Sequence, residues 1–436
     1  MIALELRRSQ APWTAALITG LGAVMYYAGA NLSGGWARLA MEHRAMLGVL
    51  WALACGLGAG QARRERKRRM EELLATTALP RHRRVLPTAA ATAFAAVAGY
   101  VGLFTAGAVH VVSGARYFPV GVIPTVLIGA LSMVAAVWLG LAIGGWLPSP
   151  LTPPLAVVAG VTGLFVVPSY VLGVRFGAEP PGSFLLSPVL QITNGMKVEF
   201  VTLTAKAQLA QLVWLTAVAV SALVLFAANS LRARVAAIPP MLAGLTVALA
   251  LVPPQMAGAF VVDRGAVEPV CTPEPPTVCV THVHSDRLGE VREPVGQALS
   301  ILAAKLASDA PVVAQEDYEN PLQDNLVPQR ADTVLFSMTD APPAQLVWQV
   351  LSGAGTRPCL TLHNKQTATA RLVAAAWLLD AEPTPDLDKF ADVVVARQLL
   401  QRIRSLPPGE QQARILALRR AELTCAAGNR LEMLAG

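Results

Sequence analysis

Over its first 262 residues the chain alternates long apolar runs with short polar breaks, and then it changes character. Seven runs are long and apolar enough to cross a bilayer, which takes about 20 residues of helix. They cover residues 13–32, 45–62, 88–112, 120–147, 153–173, 209–229 and 236–262. Residues 2–12 read as a short amphipathic helix at the membrane interface, with Pro12 and Trp13 setting its bend and depth. The connection 174–208 is longer than the others, and its piece 183–190 is apolar enough for a half-inserted hairpin. Gly56 and Gly60, like Gly140 and Gly144, stand four residues apart, a spacing that lets helices approach closely and that points first to packing within one chain.

Beyond residue 262 the period changes. Strand-like runs occupy 277–282, 333–338 and 359–362, and helical patterns occupy 288–307, 344–351, 368–379, 387–403 and 411–425. About 170 residues suffice for one core of small α/β type closed by helices. Trp348 and Trp377, at helical spacing with the tail leucines, read as part of that core. The expected architecture is an α-helical integral membrane bundle followed by an extracytoplasmic α/β domain. The bundle comprises a six-span unit over 1–234 and a seventh span over 235–262, and the domain occupies 263–436.

Charge gives this layout an orientation. Only 14% of residues are charged, against about 25% in soluble proteins. Residues 1–262 hold 19 Lys/Arg and 7 Asp/Glu, and residues 263–436 hold 16 and 21, which sum to the net +7. The basic excess lies beside apolar runs, so it reads as a topogenic signal and a lipid contact, and nucleic acid is excluded as a partner. With the N-terminus inside, 13 Lys/Arg fall in cytoplasmic segments and 6 outside, Arg38 and Arg44 among the latter. The tail then lies outside the cell membrane. Its four cysteines suit that compartment: Cys271 with Cys279 across a proline-rich turn, and Cys359 with Cys425, are the candidate disulfides, four reduced thiols being the alternative. High Ala, Arg and Pro usage fits a bacterial genome rich in GC.

Chemistry is sparse. No Gly-x-x-x-x-Gly-Lys-Ser/Thr loop, His-Glu-x-x-His, Gly-x-Ser-x-Gly or CxxC pair occurs. The segment Thr281-His282-Val283-His284-Ser285-Asp286-Arg287 imitates the zinc-binding motif of metallo-β-lactamase-type hydrolases, which makes His282, His284 and Asp286 weak metal candidates. The last His of that motif is Arg287, and only His363 lies downstream, so the reading is no metal and no enzyme. A strand end leading to a helix capped by Ser285 or Asp286 is the plainer account. Lys197, Glu199 and Lys206 could meet a substrate at an exit, although a solvated loop explains them as well.

The most specific feature is the loop 63–84 between the second and third runs. Six basic residues from Arg63 to Arg69 precede Glu71-Glu72-Leu73-Leu74-Ala75-Thr76-Thr77-Ala78-Leu79-Pro80-Arg81. Such a segment can lie flat on a membrane, leucines inward and charges toward water. Its wording resembles the coupling segment of ATP-binding-cassette type-two exporter permeases, with Glu72, Leu73, Leu74, Thr76, Thr77, Pro80 and Arg81 at the matching positions and Glu71 beside them as a further coupling candidate. Leu4-Glu5-Leu6-Arg7-Arg8 and the six-span layout resemble the same family, over residues 1 to about 234. Met70 or Glu71 replaces the glycine often found before the acid, and the seventh span and domain are additions.

The resemblance implies a permease subunit that exports a substrate using ATP and Mg bound by a separate cytosolic ATPase, with no cofactor of its own. It also implies a second permease chain, identical or different. The competing class is a non-transport seven-span protein anchoring an extracytoplasmic sensor or binding domain.

Overall fold

The structure, a computed structural model, describes residues 11–29, 35–67, 81–166, 181–189, 197–318, 329–338, 343–359, 364–384 and 390–436. The chain divides into two compact units, Met1–Ala266 and Val267–Gly436.

The first unit is helical: α1 (Ala11–Gly29), α2 (Gly35–Ala45), α3 (Leu47–Lys67), α4 (Arg81–Val111), α5 (Val122–Trp146), α6 (Thr152–Val161, continued as a π-turn to Val166), α7 (Ala205–Ala227), α8 (Leu231–Val235) and α9 (Ile238–Leu251). Apolar runs without water must satisfy their backbone internally, and a helix does so. Among the described residues, four helices are long and apolar enough to span a membrane: Val85–Val111, Val122–Trp146, Ala205–Ala227 and Leu231–Leu251. A fifth appears if α2 and α3, bent by 45° at Met46, count as one.

The difference from seven runs has identifiable sources. Pro12, Trp13, Thr14 and the Tyr26-Tyr27 pair dilute the apolarity of α1. The helix α6 is short, and residues 167–180 lie outside the described set. The last run was expected to continue to residue 262, but α9 stops at Leu251 because Pro253-Pro254 cannot extend it. Residues 252–262 instead form a turn and the strand β2 (Phe260–Val262). This strand pairs antiparallel with β1 (Val201–Leu203) and so joins the approach to α7 with the exit from α9.

The helix α5, the most apolar of the spans at mean hydropathy 2.4, is the hub: α2, α3, α4 and α7 all pack against it. Small residues make the closest approach. A Cβ at Gly140 or Gly144 would collide with the carbonyl oxygens of Cys55 and Ala59 on α3, and Gly56 turns instead toward Val157 and the Pro153 carbonyl of α6. Both glycine pairs therefore seat helices of the same chain. Polar ties complete the bundle: Trp138 Nε1 donates to the Ala89 carbonyl at 2.9 Å, and Thr19 Oγ1 donates to that of Gly99 at 3.1 Å. The described part of the expected hairpin, residues 181–189, is a single 3₁₀ turn with Phe184 and Leu185 buried, and Gln211 of α7 donates to the Leu185 carbonyl at 2.9 Å. At the end where α4 gives way to α5, the Tyr117 hydroxyl donates to Asp263 at 2.9 Å. Desolvation, and then the carboxylate beside it, push that hydroxyl up to about 12.

The second unit is a four-stranded sheet faced by helices. Its strands are β3 (Pro269–Cys271), β4 (Thr277–Thr281), β5 (Val313–Glu316) and β6 (Thr333–Phe336), in that spatial order. The pair β3–β4 is antiparallel, and β4, β5 and β6 run parallel. The helices are α10 (Leu288–Leu306), α11 (Pro343–Leu351), α12 (Lys365–Leu379), α13 (Val393–Arg404), α14 (Pro408–Leu423) and α15 (Arg430–Ala435). The crossover helix α10 buries Leu299 and Leu302 against Val278, Val280 and Ala314 of the sheet. Trp377 is buried, with its Nε1 donating to Gln411 at 2.7 Å, and Trp348 packs at the core margin.

The pairs Cys271–Cys279 and Cys359–Cys425 are disulfides, and Cys55 is a buried free thiol. Cys359 lies in no strand, contrary to the expected run at 359–362, and residues 360–362 lie outside the described set.

Candidate functional site

The coupling-type residues Glu71, Glu72, Leu73, Leu74, Thr76, Thr77 and Pro80 lie outside the described residues, and Arg81 is the first residue of α4. The described flanks are α3, ending at Lys67, and α4, starting at Arg81. Both pack on α5.

The first unit holds a polar cluster that the sequence reading passed over. Among the described residues of this unit, Arg44 is the only Lys, Arg, Asp or Glu that is buried, and it is fully so. It had been counted with the charges outside the membrane, as part of the connection between the first two runs. That connection is instead mostly the helix α2, which docks on α4 and α5 and carries its last residues inward.

The guanidinium of Arg44 donates to the Thr125 carbonyl of α5 at 3.4 Å and to the Pro188 carbonyl at 3.1 Å. Its Nε has no hydrogen-bond partner among the described residues. Beside it the His43 ring, also fully buried, lies between aromatic neighbours: centroids stand 4.0 Å from Tyr100, 5.4 Å from Phe104 and 6.1 Å from Tyr26. The Tyr100 hydroxyl has no hydrogen-bond partner among the described residues. Gly129 of α5 makes room for this group. A Cβ there would collide with the Tyr100 hydroxyl and stand 3.1 Å from Arg44 Cδ. An arginine placed among apolar helices is costly and marks a functional site by default. The only sequence signal for it was Glu-His-Arg between two apolar runs.

The second unit gathers polar groups at the carboxyl ends of its parallel strands, where open α/β sheets bind ligands. Glu316, at the end of β5, is buried. Its Oε2 accepts from the Thr281 backbone N–H at 2.8 Å and from the Thr281 hydroxyl at 2.7 Å, while Oε1 meets His284 Nδ1 at 2.6 Å. One step outward, Arg357 and Asp317 are 3.8 Å apart. His284 is therefore tied to a strand carboxylate. His282 is half-buried and Asp286 exposed, and among the described residues no group of three or more His, Cys, Asp or Glu is placed to hold a metal ion. The helix α10 begins at Leu288 without a side-chain cap, so neither Ser285 nor Asp286 takes that role.

Glu316 was missed in the sequence because its strand is only four residues long and half polar. Lys206 is exposed, and Glu199 is half-buried with one carboxylate oxygen enclosed. The described Lys197 and Lys206 flank β1. No family model matches the chain, and neither a curated protein nor a solved structure matches it.

Proposed function

We propose that the protein is the membrane-spanning permease subunit of an ABC-type exporter, coupled to a separate cytosolic ATPase through residues 71–81. The observation that carries the reading is the segment Glu72-Leu73-Leu74-Ala75-Thr76-Thr77-Ala78-Leu79-Pro80-Arg81, set between two helices that share one packing partner. A push delivered between α3 and α4 would reach α5, and through α5 the rest of the bundle. Thirteen basic residues against six support an inside N-terminus and an outside tail in the cell membrane. The two disulfides support an oxidising compartment for the second unit. One such bundle encloses half a pathway, so a second permease chain completes it.

The test is association and coupling. Glu72→Ala with Arg81→Ala should leave expression and insertion intact, because topology has charge to spare. It should reduce co-purification with the ATPase and uncouple hydrolysis from transport. Unchanged association and transport would leave 63–84 as a topogenic charge cluster, and the anchored-domain reading would take precedence.

A further inference from the structure

We infer that the buried polar cluster around Arg44 binds an oxyanion carried on an apolar body, a carboxylate or a phosphate ester. Arg44 reads that group on the molecule the protein moves, a role that rests on the exporter reading.

The argument begins with charge. No carboxylate among the described residues lies within 4.0 Å of the Arg44 guanidinium, whose partners among them are two main-chain carbonyls. A fully buried cation without a counterion is a poor way to stabilise a fold, since an apolar side chain of similar size would serve better. Among the described residues no anion answers it, and an oxyanion brought in from outside would.

The neighbours agree. Arg44 Nε and the Tyr100 hydroxyl are fully buried and without partners among the described residues, with the buried His43 ring beside them. Both are donors, and the ionised oxygens of a carboxylate or phosphate are acceptors. The guanidinium excludes cations. The rings of Tyr26, Tyr100 and Phe104 around His43 offer an apolar wall rather than water, so the oxyanion must arrive on an apolar carrier. Charge-assisted bonds to an oxyanion are roughly twice as strong as neutral ones. An arriving oxyanion would therefore displace the Thr125 or Pro188 carbonyl from Arg44. Because those carbonyls belong to α5 and to segment 181–189, binding would loosen one element from the other.

The test uses the full-length chain in non-ionic detergent and titration calorimetry. Octyl phosphate and octanoate are the probes, with octanol and octyltrimethylammonium as neutral and cationic controls. The wild type should bind at least one oxyanion saturably and neither control, and the two probes separate phosphate from carboxylate preference. Arg44→Gln should weaken binding by about 10- to 100-fold, the worth of hydrogen bonds to a charged group. Arg44→Lys should keep most of it. Gly129→Ala would press on the Tyr100 hydroxyl and on Arg44 Cδ without altering charge, and should weaken binding as well. If Arg44→Gln does not fold, Tyr100→Phe replaces it, with a loss of about three- to ten-fold expected for one neutral hydrogen bond.

No saturable oxyanion binding by the wild type overturns the inference, as does equal binding by the wild type and the variants. Calorimetry needs no ATPase. Binding without ATPase association would keep the oxyanion site and remove the exporter reading, and association without binding would do the reverse.

Discussion

Gly140 of α5 and Cys55 of α3 meet backbone to backbone: a side chain at 140 would occupy the position of the Cys55 carbonyl oxygen. The α5 helix cannot carry a Cβ at position 140 without the two helices moving apart. Gly140→Ala should destabilise the purified chain by about 1–3 kcal/mol, the cost of overpacking a close contact. Gly20→Ala, with nothing within 4 Å of its Cβ position, is the control and should be near neutral. Thermal unfolding in detergent checks the pair. Equal melting temperatures would mean that the α3–α5 crossing tolerates expansion.

The two disulfides should differ in worth. They close separations of 8 and 66 residues. Loop-closure entropy assigns about 2–3 kcal/mol to the first and about 4 kcal/mol to the second. Replacing Cys359 and Cys425 by Ala should lower the denaturation midpoint of the second unit more than replacing Cys271 and Cys279. Peptide mass spectrometry without reduction should recover both pairs.

Glu422 is fully buried between two guanidiniums, accepting from Arg371 Nη1 at 2.6 Å and from Arg430 Nε at 2.8 Å. Glu422→Gln leaves two buried cations without their anion. Breaking a buried ion pair from one side costs about 3–5 kcal/mol. The variant should unfold at markedly lower urea, read by protease resistance of the second unit. A change below 1 kcal/mol would mean that water reaches this triad.

Asp392 caps α13, accepting from the N–H groups of Val394 at 3.1 Å and Val395 at 3.2 Å, and pairs with Lys365 at 2.9 Å. The Lys365 bond first, and then the backbone donors, hold its carboxyl below the ordinary 3.8. A lowered folded value stabilises above pH 3.8, and the contribution is lost as pH falls through that lower value. Asp392→Asn keeps a capping oxygen but does not titrate. The stability gap between wild type and variant should be constant above pH 3.8 and close below it. A gap independent of pH would remove the ion from the account.

Orientation can be read by labelling. With an inside N-terminus, a membrane-impermeant maleimide on intact cells should modify Gln401→Cys and spare Arg66→Cys until lysis. The reverse pattern would overturn the topology proposed from the basic residues.

How much of this was legible depended on what each element owes to local pattern. The helices α10, α11, α12 and α14 follow from their apolar spacing, because each buries one stripe or more against a core. The strand β5 did not, since Val313–Glu316 alternates only briefly and its last residue is an acid, buried because Thr281 and His284 satisfy it. The glycine spacing announced close approach, but not that Gly140 faces α3 while Gly56 faces α6. Arg44 was the largest miss. A charge between two apolar runs normally reports a loop, and nothing local to it reveals that α2 folds back into the bundle.

The Cys271–Cys279 bond joins residues that are also direct partners across β3 and β4. It therefore writes the register of that hairpin covalently, and β3 cannot slide by a residue to present its other face. With Pro269 in the same strand, this margin of the sheet is blunted against recruiting a stray chain. Among the described residues no strand pairs with the far side of β6. The side chains of Val334, Leu335 and Phe336 are buried there, so this margin is held by packing rather than by a covalent tie.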